Sequence, residues 1–255
     1  MSLSALFAKQ ANHLTLVRLV LSLLVIYSHC LALGNFGNEL FGGFGNDRYG
    51  NLAVNAFFVI SGLLIAKSYA NSRNAGQFLF RRALRIFPAF WGALVICAVL
   101  IGPIVYVHAH GTLSGYRSAP DAPWGYVIRN LPLKLSQGNI RDIFARNPFP
   151  YTVNGSLWTL IFEFALYLSV LVAGCLGLLR KHSLWWLVVG LLCFINVFVG
   201  LDVVAPSPWR DPVENLLRFT AYFIAGVVAH LFGDALQIRR SGTLVTTAVF
   251  LLLCL

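Results

Sequence analysis

The chain has 255 residues, of which 58% are hydrophobic and only 11% charged, and its formal net charge is +10; its mean hydropathy is +0.75. A soluble domain averages roughly 45–50% apolar and about 25% charged residues, so this chain cannot cover itself with a water-facing surface. An ordinary soluble domain, a disordered tail and a secreted disulfide scaffold are excluded. Apolar runs separated by short charged clusters predict instead an all-α, polytopic transmembrane helix bundle, in which the positive charge sets orientation and no nucleic-acid partner is expected.

A spanning helix needs about 20 mostly apolar residues. The first expected span, residues 14–33, carries Arg18 and His29. Arg18 interrupts the run and further spans follow, so the segment reads as a span rather than a cleaved signal. The two ionisable side chains return to within ~20° of one another on a helix and lie ~16 Å apart along its axis. Ionisable groups at membrane depth are costly and usually functional. The bland alternative is that Arg18 snorkels to the interface and His29 hydrogen-bonds a neighbouring helix.

Residues 34–50 are glycine-rich, which suits a flexible outer loop or a tight re-entrant turn. They lack the Lys-Ser/Thr ending of a phosphate-binding loop. The second expected span, residues 51–70, contains the run Phe57-Phe58-Val59-Ile60-Ser61-Gly62. Ser61-Gly62 permits close helix approach, and Asn55 and Ser61 bring hydrogen-bonding capacity to depth.

Ahead of the third expected span, residues 86–107, stands Arg81-Arg82-Ala83-Leu84-Arg85-Ile86-Phe87-Pro88. Arg82 and Arg85 share a face if this segment is helical, and Pro88 suits a first helical turn. Guanidinium forks match phosphate geometry, although positive charge beside a span also serves topology alone. The stretch from about 108 to 153 is a long outer loop.

The fourth expected span, residues 156–179, holds Glu163 among Phe, Leu and Ile, with Thr159 and Tyr167 one turn to either side on the same face. A lone carboxylate there needs a cation, and Arg18, His29, Arg82, Arg85 and Arg218 are available. A purely structural ion pair is the bland reading. Further spans are expected at 184–204 and 216–232. A seventh, 243–255, is too short to cross; a re-entrant or interfacial segment is one reading, and the preferred one is a polypeptide truncated at its C-terminal end and otherwise a single membrane domain over 1–255.

Lys67, Arg73, Arg81, Arg82 and Arg85 follow the second span, Arg180 and Lys181 the fourth, and Arg239 and Arg240 the sixth, while the opposite short loops carry only Arg48 and Arg210. This places the N-terminus in the cytoplasm. The five cysteines form no Cys-x-x-Cys pair and read as small core residues. The His108-x-His110 pair has no carboxylate or thiol partner at useful spacing, so no metal site is expected.

Four elements now stand in order: Arg18 and His29; Phe57-Phe58-Val59-Ile60-Ser61-Gly62; Arg82-x-x-Arg85-Ile86-x-Pro88-x-x-Trp91; and Trp158-Thr159-Leu160-x-x-Glu163-x-x-x-Tyr167. The series resembles the acyltransferase-3 family of integral-membrane O-acyltransferases, from about residue 12 to 170 and more loosely to about 240. The resemblance implies a multi-pass protein of a bacterial inner membrane. Such a protein moves an acyl group, usually acetyl, from cytoplasmic acyl-CoA to a hydroxyl of a cell-surface carbohydrate, with no permanently bound cofactor. The resemblance makes His29 essential, with Arg18 at the family's spacing, and maps Arg82 with Arg85 and Glu163 onto the family's Arg-x-x-Arg pair and its fourth-span acidic residue. On that mapping catalysis is expected of His29 and Glu163, and CoA binding of Arg18, Arg82 and Arg85. It leaves Asn55, Ser61, Trp158, Thr159 and Tyr167 as the expected substrate-binding residues. The family's members have about ten spans, and this chain stops in the seventh.

An imidazole titrates near neutrality and suits a general base. His29 is therefore expected either to take the proton of the sugar hydroxyl or to carry the acyl group transiently; the sequence does not separate the two routes. A transporter or flippase using an intramembrane Arg/His/Glu relay is the main alternative, and a non-catalytic scaffold the second.

Overall fold

The computed structural model describes residues 11–39, 48–118, 120–179 and 210–232, and among them the regular structure is entirely helical. In chain order the elements are α1 (Ala11–Gly34), α2 (Tyr49–Ala70), α3 (Ala75–Ile96), a π-helical turn (Cys97–Ile101), α4 (Gly102–His110), α5 (Pro123–Asn130), a 3₁₀ turn (Gly155–Thr159), α6 (Leu160–Cys175) and α7 (Arg210–Leu231). Among the described residues, four helical stretches are long and apolar enough to cross a membrane: Leu14–Gly34, Tyr49–Ala70, Ala75–His110 and Gly155–Cys175. They cover the first four expected spans. The helix α7 covers the sixth, but Arg210, Asp211, Glu214 and Arg218 occupy its first three turns and leave a shorter apolar stretch. The expected spans at 184–204 and 243–255 lie outside the described residues.

The third span departs most from expectation. It does not begin at Ile86 but eleven residues earlier, because Asn74 and Gln77 start it. The Gln77 backbone N–H donates to Asn74 Oδ1 at 2.8 Å, and the Arg73 N–H donates to Gln77 Oε1 at 2.9 Å. Together these satisfy two amide donors at the helix start. Pro88 is accordingly an interior residue of α3, not a first-turn one; membrane helices tolerate such a proline. The rod runs unbroken for 36 residues to His110, or about 54 Å at 1.5 Å per residue. It ends where Gly111 adopts a left-handed φ of 72° and returns its N–H to Val107 O at 2.7 Å. The fourth span also ends earlier than expected. Gly177 (φ 71°) closes α6 with bonds from Gly177 N to Gly174 O and from Leu178 N to Ala173 O, the paired pattern of a glycine-terminated helix.

Two compact units partition the chain: Met1–Leu31, Asn38–Phe78 and Leu166–Leu255 form the first, and Ala32–Gly37 and Leu79–Ala165 the second. The core of the first is the α2–α7 contact. Phe58 stacks on Phe219 with ring centroids 4.2 Å apart. A Cβ on Gly62 would collide with the Phe223 carbonyl, and one on Gly226 with the Val59 carbonyl and the Leu63 amide. Lipid tails are as apolar as leucine, so such helices associate through close packing, and small residues let the backbones meet. Phe58 meets Phe219, Gly62 meets Phe223, and Ala66, Tyr69 and Ala70 near the end of α2 line one cavity with His230 and Leu231 at the end of α7, so α2 and α7 run in the same sense.

In the second unit the segment after His110 is a folded cap rather than an open loop. Tyr116, Tyr126, Leu133, Ile140 and Ile143 are buried in it. Asn130, fully buried, donates to Gln137 O at 2.8 Å and accepts from the amides of Ser136 and Gln137. These bonds supply partners that buried loop backbone would otherwise lack. The cap joins the rod at the π turn. A π turn and the missing N–H of Pro103 both leave carbonyls of the preceding turn without their usual donors. The Tyr116 phenol donates to one of them, Ala98 O, at 2.7 Å. Gly102 makes room, since a Cβ there would collide with the Tyr116 hydroxyl. Burial foremost, with the Cys97 thiol nearby, pushes the Tyr116 pKa up to about 12, so the phenol keeps its proton as a donor.

Candidate active site

In the first unit, α1 is one unbroken helix from Ala11 to Gly34. Arg18 and His29 therefore stand on a single rigid rod at the expected offset. Arg18 is half-buried, and Ser22, one turn on, donates its hydroxyl to Arg18 O at 2.8 Å. His29 is exposed among the described residues, as is most of α1. Its neighbour Ser28 is buried and faces the start of α2, where Gly50 lies against the Ser28 hydroxyl.

Glu39, which sequence reasoning passed over, ties these two helix ends together. One carboxylate oxygen accepts from the Ser28 hydroxyl, and the other accepts from the Tyr49 backbone N–H at 2.6 Å. An anion at a helix N-terminus meets unsatisfied amides and the positive end of the helix dipole. Its signal in the sequence is faint, since Glu39 is one of two acidic residues, with Asp47, in a glycine-rich stretch where charge is ordinary.

Asn55 lies on α2, 1% exposed, and its Oδ1 has no hydrogen-bond partner among the described residues. On α7 the Arg218 Nε is likewise buried without a partner, and its guanidinium sits 5.2 Å from the Phe219 ring centre. The Phe219–Phe58 stack puts Arg218 and Asn55 on the same helix pair, about half a turn apart in level. Burying polar groups without partners is costly, and both atoms lie on the helices that form the core of this unit. Ser61 is half-buried on α2, and Tyr167 is buried on α6.

In the second unit, Arg82 and Arg85 lie on one helix three residues apart, the first half-buried and the second exposed. Phe87 meets Phe164 edge-on at 5.3 Å and Trp91 at 5.1 Å. This contact sets the Glu163 turn of α6 beside the turn of α3 that follows Arg85. Glu163 is half-buried in the first turn of α6, where a carboxylate suits the helix dipole. The 3₁₀ turn before it carries Trp158, which packs edge-on against Phe162 at 5.6 Å, and ends at Thr159. Glu163 and Tyr167 keep the one-turn spacing expected of them. Asn154 and Tyr126 lie beside the Cys97 thiol, which anchors the entry to the fourth span against the π turn.

A family model described as an acyltransferase domain matches residues 12–255. The chain is 30% identical over 228 residues to an "O-acetyl transferase" of Shigella phage Sf6, covering 86% of this chain and 62% of that protein. It is 27% identical over 237 residues to "Nodulation protein 10" of Rhizobium leguminosarum bv. viciae, covering 87% of this chain and 60% of that protein. The chain thus spans about three fifths of the length of these curated relatives. No solved structure is significantly similar to it. With candidate spans on four helices and a match over nearly its whole length, the chain belongs to the acyltransferase-3 family of membrane acyltransferases.

Proposed function

We propose that the protein transfers an acyl group, most simply acetyl, from cytoplasmic acyl-CoA to a hydroxyl of a cell-surface carbohydrate. The observation that carries this reading is the family match over residues 12–255 together with Arg18 and His29 on one unbroken helix. The phage relative's name, O-acetyl transferase, supports both the acetyl group and the oxygen acceptor.

A thioester is already activated, so the protein's work is to deprotonate the acceptor, position the carbonyl and stabilise the oxyanion. His29 takes the hydroxyl proton as the oxygen attacks the thioester carbon. The C–S bond then breaks, and the proton passes to the departing thiolate. Transfer through an acyl-imidazole on His29 balances equally. Glu163 orients or charge-couples the base, as an acidic residue does in a hydrolase triad. Arg18, Arg82 and Arg85 hold the CoA phosphates near the cytoplasmic face. Asn55, Ser61, Trp158, Thr159 and Tyr167 contact the substrates.

The reading includes the full topology, with the N-terminus inside and six spans plus a partial seventh in a bacterial inner membrane. The common sense of α2 and α7 supports it. Two helices that cross in the same direction need an odd number of crossings between them; α3 with α4 and then α6 supply two, and the expected span at 184–204 would be the third.

Mass spectrometry of surface glycans from cells with and without the gene tests the proposal. A single acyl mass increment that depends on the gene is expected. Identical glycan masses, with the protein inserted in the membrane, would count against it.

A further inference from the structure

The second unit contains a cavity of about 430 Å³ lined by residues that no part of the acyl-transfer chemistry above uses. This is within the range of about 300–1,000 Å³ typical of small-molecule sites. One wall is the π turn and the start of α4, with Val99 and Pro103; the facing wall is the cap, with Leu113, Arg117, Ser118 and Trp124. The Tyr116 bond to Ala98 O clamps the walls together.

Two side chains there are unspent. Trp124 is 55% exposed, whereas Tyr126, two residues along α5, is 1% exposed. The short helix thus buries one aromatic in the cap core and leaves the other bare over the cavity. Arg117 is the one charged residue of the lining, is exposed, and makes no hydrogen bond or ion pair among the described residues. The Ser118 hydroxyl is available beside it, while its carbonyl is held by Arg141 Nη1 at 3.3 Å.

This mixture selects among ligand classes. A CoA pyrophosphate calls for several cations, an acyl chain for none, and a metal ion for carboxylates that the lining lacks. A pyranose ring has an apolar C–H face and an edge of hydroxyls, which match an indole plane flanked by a guanidinium and a hydroxyl. We infer that this cavity binds a sugar unit of the acceptor glycan, with Trp124 stacking on the ring and Arg117 donating to its hydroxyl or carboxylate oxygens. The inference rests on the acyltransferase reading for the identity of the glycan as acceptor, but binding itself needs no transfer.

The test is equilibrium binding of four oligosaccharides (chitotetraose, maltotetraose, a rhamnose tetrasaccharide and tetragalacturonate) to the full chain in nanodiscs, by saturation-transfer NMR and calorimetry. At least one should bind. Trp124→Ala should weaken it about tenfold or more, as truncating a stacking tryptophan does; Trp124→Phe should restore most of the affinity, and Arg117→Ala should weaken it severalfold. Adding phosphatidylglycerol should not displace the sugar. Failure of all four to bind, affinity indifferent to both Trp124 and Arg117, or displacement by the lipid would each overturn the inference. Sugar binding that depends on Trp124 in a protein with no acyl transfer would leave the cavity standing and remove the acyltransferase reading. Acyl transfer with binding indifferent to Trp124 would do the reverse.

Discussion

A few polar side chains carry most of the meaning in this chain, because each sits where water cannot easily compensate it. Glu39 is the clearest structural case. Its carboxylate takes one bond from Ser28 near the end of α1 and one from the first amide of α2, so it fixes the helix end on which His29 stands. Replacing Glu39 by Gln removes the charge but keeps the size. It should cost about 1–2 kcal/mol, the sum expected for a charge-assisted bond and a helix-end charge. Urea unfolding in detergent micelles reads this directly; an unchanged midpoint would mean that the latch contributes nothing. Arg18, His29, Arg82, Arg85 and Glu163 were legible in the sequence because an ionisable residue in an apolar run stands out. Glu39, Arg117 and Trp124 were not, since they lie in polar or mixed segments where charge and aromaticity are ordinary. Only folding shows that Arg117 is unspent and that Trp124 is bare.

Among the elements, the α2–α7 pair and the α3–α4 rod set the architecture. The Ser61-Gly62 dipeptide signalled close approach, and the structure shows that approach to be to Phe223 of α7, with Gly226 answering from the other side. Gly62→Val and Gly226→Val should each push the helices apart and lower the thermal midpoint. Overpacking typically costs about 1–3 kcal/mol, whereas valine at the half-open Gly92 of α3, which has nothing within reach of a new Cβ, should be well tolerated. A thermal-shift series on the three variants separates a backbone contact from a general loss of glycine. Helix existence and type were readable from hydropathy. Boundaries were less so, because side-chain caps and left-handed glycines decide them. Asn74 with Gln77 carried α3 back to Ala75, and Gly177 stopped α6 at Cys175. The π turn had a signal too, in Gly102-Pro103, but its partner Tyr116 lies beyond the end of the helix and could not be paired with it from sequence.

Across the whole molecule, hydropathy and charge asymmetry give a membrane protein, and the ordered motifs give its family, which the match over residues 12–255 establishes. The folded cap after His110 was the largest feature missed. A long hydrophilic segment between spans has no periodicity to read, and its order comes from buried amide side chains such as Asn130, bonded to Gln137 O, and Gln137, bonded to Asn139 O, rather than from a repeating apolar pattern. The central claim is that the imidazole of His29 moves a proton or an acyl group between thioester and alcohol. Its most direct test is single-turnover transfer of labelled acetyl from CoA to glycan by the chain in nanodiscs, comparing wild type with a His29→Ala protein of matched thermal midpoint. The account predicts that the variant is slower by about 10²–10⁴, the usual loss on removing a general base. Transfer at the wild-type rate by that variant would contradict it.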